Sequence, residues 1–406
     1  MNHFLLRLQV TRLALIAGIF APSIFMMAFH ASSLSTGLLL VLFPLVIWNC
    51  INVCLKGSFF ETKISLGICF FALFLISHFV FTGLVFSLVQ DSARFYSSLF
   101  AVAIMLASSA LIGRSLNKLN GNEIEKIIKL IFSLFLLCAI FSFTGIDIFG
   151  NSAPKPVLLF PEPSHFSLAV APFVIYYIFT RQRTWLIVLI FFFLWAFYIE
   201  NVTMLAVLML VVIVSFNVRG LIVLIPLAVL LFLSFADFNY FADRLILSSD
   251  NTNQSALVLM QGWENALLTM RDTNWLGVGL QQFGVASSSG EITEKLSETF
   301  LVTLNQFDGG STISKLMGEF GFFGLILVFI LLRRAISSFR ALKGKTQGDP
   351  LIIFSHCVNI GIFVEIMVRG VGYFSPGIFI YLVMLLACNR INEKNGAKKT
   401  LSFIGS

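Results

Sequence analysis

Charged residues are scarce in this chain. Asp, Glu, Lys and Arg together make up 12% of its 406 residues, while hydrophobic residues make up 58%. A typical soluble domain carries roughly 25% charged residues. The composition therefore excludes a soluble domain and directs attention to the apolar runs.

Cysteine and histidine are also few, with six and five residues respectively. The cysteines fall within or at the ends of apolar runs, without a loop partner or the spacing of metal ligands, so we expect neither a disulfide nor a metal site. The chain has no P-loop, no dinucleotide-binding glycine motif and no nucleophile elbow. These absences give no support to a nucleotide-dependent enzyme.

Apolar runs of about 18 or more residues recur along the chain, and each is long enough to cross a bilayer. We predict an all-α, polytopic membrane helix bundle with about 12 transmembrane helices. The predicted spans are 13–29, 34–55, 64–89, 95–113, 124–144, 164–180, 184–199, 202–216, 219–236, 313–332, 351–368 and 371–389. The first run lacks a small-residue cleavage site, so we expect no cleaved signal peptide.

The basic residues set the predicted orientation. With both termini in the cytoplasm, 20 of the 27 Lys and Arg residues fall on the cytoplasmic side and 7 on the outer side. This asymmetry is the one that the positive-inside rule requires. Because topology already explains these residues, nucleic-acid binding is not indicated. The same layout places the loop 145–163 and the long segment 237–312 outside.

The chain divides into three predicted regions. Residues 1–236 form an N-terminal transmembrane region, 237–312 a large outer loop, and 313–406 a C-terminal transmembrane region with a cytoplasmic tail. Within the loop we predict a helix at 255–270 lying along the outer leaflet and a second, amphipathic helix at 291–304. Gly277 and Gly279 separate the two helices. The loop is interpreted either as a lid over a membrane cavity or as a static cap.

A short motif opens the sixth predicted span: Pro161-Glu162-Pro163-Ser164-His165-Phe166. Proline fixes φ and keeps the preceding residue out of the helix, so Glu162 is expected in an extended, rigid position. Ser164 is the expected N-cap of the following helix. The motif presents a carboxylate and an imidazole at the mouth of a membrane helix, or it is a plain helix start.

Several outer-side charges stand next to apolar sequence, where a charge is costly. The arginines are Arg244, Arg271 and Arg369. Glu365 precedes Arg369 by four residues, which is the favourable order for a helical ion pair; Lys315 and Glu319 have the same spacing. These pairs either neutralise each other or release one member to a substrate. His78 is interpreted as a packed polar residue rather than a relay, and Arg94 with Asp91 as a loop ion pair.

Several segments, taken in order, carry a resemblance to a known family. They are Glu162-Pro163-Ser164-His165-Phe166, three closely spaced spans, Trp263-Glu264-Asn265-Ala266-Leu267, Leu276-Gly277-Val278-Gly279-Leu280-Gln281-Gln282-Phe283, Gly318-Glu319-Phe320-Gly321-Phe322-Phe323-Gly324 and Arg369-Gly370-Val371-Gly372-Tyr373-Phe374. In this pattern, which covers most of the chain from residue 160 onward, the chain resembles the Wzy-type O-antigen and capsule repeat-unit polymerases.

The resemblance implies a bacterial inner-membrane glycosyltransferase of the GT-C type that acts in O-antigen or capsule biosynthesis. It would join oligosaccharide repeat units carried on undecaprenyl diphosphate at the periplasmic face, with no metal ion and no cofactor. Its partners would be the lipid-linked oligosaccharide, membrane lipid and a chain-length regulator protein.

The resemblance also assigns roles to the outer charges. Arg271 and Arg369, with Arg244 as a third candidate, would hold the leaving diphosphate, because guanidinium groups match phosphate geometry. Glu162 or His165 would take the acceptor proton as general base. Glu319, Glu365 and Tyr373 would support the site.

Two other functions remain open. The related O-antigen ligases share the layout but usually carry a histidine in the large loop, whereas 237–312 contains none, which favours a polymerase. A flippase for the same lipid would also fit twelve spans. Transporters of that kind tend to have matching halves, and the chain has no evident internal repeat.

The predicted topology can be tested with single cysteines in a background without the native ones. A cysteine at Ser288 should react with an impermeant thiol reagent added outside, because it lies in the predicted outer loop. A cysteine near Lys343 should react only from the cytoplasmic side. Labelling of Ser288→Cys from the cytoplasm alone would contradict the topology and the function built on it.

Overall fold

The fold was analysed in a computed structural model, which describes residues 3–31, 33–56, 62–150, 157–216, 253–300, 306–343 and 348–388. Within these ranges the chain is all-helical; there is no strand, only an isolated bridge between Val157 and Phe160. The helices are α1 His3–Ala28, α2 Leu34–Lys56, α3 Thr62–Phe86, α4 Ser92–Leu116, α5 Gly121–Ser142, α6 Pro163–Phe179, α7 Trp185–Tyr198, α8 Val202–Ser215, α9 Gln254–Asp272, α10 Glu291–Phe300, α11 Thr312–Lys343, α12 Pro350–Met367 and α13 Pro376–Cys388.

Six helices in the described part of the chain are long and apolar enough to cross a membrane. They are α1, α2, α3, α4, α11 and α12. The predicted class, a helical membrane protein, is confirmed at this level. Twelve spans remain a prediction: α7 and α8 have 14 residues each, which is about 21 Å of helix against a hydrocarbon core of about 30 Å. The predicted ninth span, 219–236, lies outside the described residues.

Helix α6 is the centre of the bundle and packs against α5, α7, α8 and α12. Nearly every residue from Phe166 to Ile178 is buried, on all sides of the helix. A helix that is apolar all round belongs inside a protein or a membrane. Neighbours approach α6 closely; a Cβ added at Gly361 of α12 would lie 3.2 Å from Pro172. The motif that opens α6 is therefore anchored to the best-packed element.

The start of α6 differs from the prediction. The helix begins at Pro163 with Glu162 as the N-cap, whose backbone is extended (φ −141°, ψ 150°). Ser164, the expected N-cap, lies inside the first turn. The reason is that proline is pre-organised for the first helical position, where its missing N–H costs nothing. The extended backbone expected for Glu162 is confirmed.

Helix α11 is broken at Gly321, where the backbone leaves the helical region (φ 53°, ψ −123°). A bilayer offers no water to the backbone groups that such a break releases, so the protein must pair them itself. The segment between α9 and α10 does this. The Phe322 N–H donates to the Trp275 carbonyl at 2.7 Å, and the Gly279 N–H donates to the Glu319 carbonyl at 2.8 Å.

The same segment is held from the opposite side by α3 and the start of α4. The His78 ring bonds to the Leu276 carbonyl at 2.9 Å, as expected for a packed polar residue. The Gln90 side chain donates to the Val278 carbonyl at 3.1 Å. Glycine is required where the chains meet: a Cβ at Gly277 would lie 2.5 Å from the Glu319 carbonyl oxygen. The two glycine-rich motifs of the sequence are thus two halves of one contact.

Substitution at this contact should destabilise the protein. In Gly321→Ala the new Cβ would collide with the Trp275 carbonyl oxygen, and φ is in the left-handed region. We expect a loss of at least about 2 kcal/mol from the overpacking and the unfavourable φ, measured as a lower Tm of the purified protein in detergent. Gly67→Ala on α3 is the control, because nothing lies within 4 Å of its added Cβ. Equal Tm values for the two variants would contradict the proposed contact.

Candidate functional site

A cavity of about 1010 Å³ opens where the ends of several helices meet. Its wall comes from the end of α1 and the start of α2, the starts of α4, α6, α8 and α9, Gln281, the turn 307–310 and the loop 368–374. For the predicted spans, these are the ends that the charge asymmetry places outside. Cavities that bind small molecules measure roughly 300–1,000 Å³, so this one lies at the upper end of that range.

An ion pair crosses the cavity wall between residues 207 positions apart. The Arg369 Nη2 donates to Glu162 Oε2 at 2.7 Å. Ser164 Oγ donates to the same oxygen at 3.0 Å. Both charged side chains are partly exposed, 25% for Arg369 and 46% for Glu162. The structure thus brings together two of the residues predicted for the site, the carboxylate that opens α6 and the arginine that follows α12.

His165 joins this pair at the cavity. Its side chain is one of those lining the cavity, and Glu162, Arg369 and Asp308 all lie within electrostatic reach of the ring. Its Nδ1 is buried without a hydrogen-bond partner among the described residues. An imidazole nitrogen in this state has an unused capacity to bind or receive a proton from a ligand.

The predicted pair between Glu365 and Arg369 is wrong. Glu365 is fully buried, and its carboxylate accepts a hydrogen bond from Ser375 Oγ at the start of α13. Helix α12 ends at Met367, and Arg369 lies beyond that end. The helical i,i+4 geometry therefore no longer holds, and the Arg369 side chain reaches Glu162 instead. Glu365 is not among the residues that line the cavity.

The predicted pair between Lys315 and Glu319 is also not a direct contact. The Lys315 ammonium lies 3.3 Å from Asp308 Oδ1 and 5.2 Å from the centre of the Tyr373 ring. Glu319 is fully buried at the break of α11, where the positive charge of Lys315, the Tyr373 hydroxyl and the backbone of Gln281 and Phe283 act on its carboxylate. Tyr373 lines the cavity, with Lys315 and Glu319 behind it. Burial raises the pKa of Tyr373 well above 10, and the charge of Glu319 adds to the shift.

Arg271, another of the predicted arginines, is not brought to the cavity. Arg271 is 72% exposed at the end of α9, and its Nε donates to Asp272 Oδ1 at 2.9 Å. A hydrogen bond from Ser288, together with Arg271, lowers the pKa of Asp272. Arg244 lies outside the described residues. The diphosphate-binding role predicted for Arg271 therefore has no support from its position.

Arg94 lines the cavity, whereas the sequence predicts it in a loop ion pair with Asp91. The Asp91 carboxylate instead caps α4 by accepting the Arg94 backbone N–H at 2.9 Å. The Arg94 guanidinium extends to Gln281 Oε1 at 3.4 Å and stacks over the Phe307 ring at 4.1 Å. No signal in the sequence links Arg94 to a residue 187 positions away, since its nearest acid suggested a local partner.

Three described parts of the large loop segment line the cavity: the first turn of α9, Gln281 and the turn 307–310. Its middle, from Leu276 to Gln282, is fixed by hydrogen bonds to α3, to the residues that open α4 and to α11. This part of the segment is therefore held in the bundle and is not a free flap. Comparison of the chain with protein-family profiles, curated proteins and solved structures found no match.

The meeting of α6 with the loop after α12 can be tested by crosslinking. In a protein without native cysteines, Glu162→Cys with Arg369→Cys should be joined by a short bifunctional thiol reagent, because the two native side chains touch. The crosslinked peptides are detected by mass spectrometry after digestion. Glu162→Cys with Arg271→Cys is the control. Crosslinking of the control pair at equal yield would show that the reagent does not report proximity.

Proposed function

We propose that this protein is a membrane glycosyltransferase that polymerises oligosaccharide repeat units carried on undecaprenyl diphosphate, at the outer face of the bacterial inner membrane. The observation that carries the proposal is the meeting of a carboxylate, an imidazole and a guanidinium in one large cavity at the helix ends. The resemblance to repeat-unit polymerases, noted from the sequence, supplies the substrate class.

The reaction forms one glycosidic bond and breaks one. A hydroxyl oxygen of the acceptor unit attacks the anomeric carbon of the growing chain, and the bond from that carbon to the diphosphate breaks. The diphosphate leaves on its lipid with the bonding electrons, and the hydroxyl proton passes to a base. The site must therefore hold an anion, accept a proton and accommodate two sugar chains, which agrees with the charge and size of the cavity.

His165 is the better supported base of the two predicted candidates. Glu162 already accepts hydrogen bonds from Arg369 and Ser164 on one oxygen, and such bonds stabilise the carboxylate and weaken it as a base. His165 lines the same cavity, and its buried Nδ1 has no hydrogen-bond partner among the described residues. We assign proton acceptance to His165 and the positioning of the acceptor to the Glu162–Arg369 pair.

A transporter for the same lipid is the competing class. A flippase must expose its substrate site to each side in turn, which requires the bundle to rearrange around that site. Here the cavity wall includes a segment hydrogen-bonded into the break of α11, and this favours a fixed site open to one side. Ligation to lipid A-core would use a similar site, so the product must decide between polymerase and ligase.

Loss of the protein should leave lipid A-core bearing a single repeat unit, since flipping and ligation continue, provided that the polysaccharide is ligated there. The lipopolysaccharide pattern on a gel measures this.

His165→Asn should reduce chain growth by roughly 10²–10⁴-fold, the usual contribution of a general base. Glu162→Gln should reduce it less and should retain the pH dependence of the wild type, because a positioning residue does not carry the proton.

Protein level is the control for both variants. The Glu162–Arg369 pair is partly exposed, and such pairs contribute about 0–1 kcal/mol, so Glu162→Gln should accumulate normally.

A surface without any repeat unit in the deletion strain would point to flippase or ligase. Wild-type chain length in His165→Asn would remove His165 as the base and return that role to Glu162.

A further inference from the structure

Two cationic side chains converge on one neutral oxygen beside the cavity. Arg94 Nη2 and Lys315 Nζ each lie 3.4 Å from Gln281 Oε1. The two nitrogens are therefore at most twice that distance, 6.8 Å, from each other. Gln281 contributes no negative charge, so the positive charges are brought close together without being neutralised by the residue that joins them.

The surroundings of this cluster face the cavity. Arg94, Gln281, Asp308 and Tyr373 all line it, and the Lys315 ammonium lies directly behind them, with the Lys315 side chain only 1% exposed. Arg94 Nε is buried without a hydrogen-bond partner in the described part of the chain. The cluster thus has an unused guanidinium donor and a desolvated ammonium group. Among the described residues, Asp308 forms an ion pair with Lys315 and is 45% exposed, and the buried Glu319 lies within electrostatic reach of the same ammonium.

We propose that Arg94 and Lys315, held by Gln281, form the site for the diphosphate of the lipid-linked substrate. Guanidinium groups bind phosphate oxygens with two parallel hydrogen bonds, and a lysine adds a compact charge. The identity of the ligand rests on the proposed function; the anion site itself rests on the geometry. Without a bound ligand, the Asp308 carboxylate forms the ion pair with Lys315 that the diphosphate would replace.

This site is distinct from the Glu162–Arg369 pair. Arg369 already binds a carboxylate at 2.7 Å, so its charge is compensated within the protein. The Arg94 guanidinium instead contacts an amide oxygen and an aromatic ring, neither of which carries a charge. Arg94 is therefore the cation available to an incoming anion. Lys315 becomes available when its ion pair with Asp308 breaks.

The test measures binding of radiolabelled inorganic pyrophosphate to the full-length protein in nanodiscs of zwitterionic lipid, by equilibrium dialysis at fixed ionic strength. Arg94→Gln and Lys315→Gln should each weaken binding about tenfold or more, because each removes a charged hydrogen-bond donor. Asp308→Asn should strengthen binding, since it removes the internal competitor. Lys129→Gln, which removes one exposed positive charge from α5, should have no effect.

A loss of folding would weaken pyrophosphate binding in every variant. Weaker binding in Arg94→Gln together with stronger binding in Asp308→Asn therefore indicates a binding site rather than a loss of folding. If Lys315→Gln does not fold, Arg94→Gln and Asp308→Asn decide the outcome. Unchanged pyrophosphate affinity in Arg94→Gln, or weaker binding in Asp308→Asn, would overturn the proposal. Tighter binding of glucuronate than of pyrophosphate to the same residues would overturn the diphosphate assignment in favour of an acidic sugar.

The proposed function can fail independently of the anion site. If deletion of the protein leaves polymer length unchanged while the pyrophosphate results hold, the polymerase proposal falls and the site stands. If His165→Asn abolishes chain growth while Arg94→Gln binds pyrophosphate normally, the polymerase proposal stands and the Arg94–Lys315 site falls.

Discussion

A broken helix inside a membrane bundle is the constraint on which the other features depend. The break of α11 at Gly321 frees backbone groups that hydrocarbon cannot solvate. The segment following α9 pairs them, and Gly277 permits the approach that this pairing requires. Because that segment continues into Gln281, the contact that repairs the helix also positions the side chain joining Arg94 to Lys315. The described segment that follows α9 is therefore a structural part of the helix bundle.

The cavity has two electrostatic centres with different properties. At the Glu162–Arg369 pair the charges are matched and partly hydrated, so the pair contributes little to stability and can exchange partners at low cost. At the Arg94–Lys315 cluster the nearest shared partner is neutral, and Lys315 is buried. Asp308 is the anion that contacts Lys315, at 3.3 Å, and it is partly exposed, so an incoming anion would compete with it for the ammonium. The difference argues that anion binding and acceptor positioning use separate residues.

How much the sequence predicted depends on the distance over which each signal acts. Hydropathy located the six long apolar helices, and the paired prolines located the extended Glu162, because these signals act within one element. The i,i+4 spacing predicted an ion pair between Glu365 and Arg369, and this pair does not form, since the helix ends at Met367. No local pattern contains the contact of Arg369 with Glu162, 207 positions away. Element positions followed from the sequence, whereas pairings between elements did not.

Helix α9 buries polar as well as apolar residues. The sequence predicts a helix at 255–270 lying along the outer leaflet, and in the structure Leu267 is 54% exposed while Asn265, Thr269 and Met270 are buried. Asn265 accepts the Gly290 N–H at 2.9 Å and thereby fixes the start of α10. A segment rich in turns must bury its own backbone groups, so it selects the polar face of the helix as its partner. Leu267 stays exposed because that packing uses another side of the helix, and the position of α9 along the membrane surface remains a prediction.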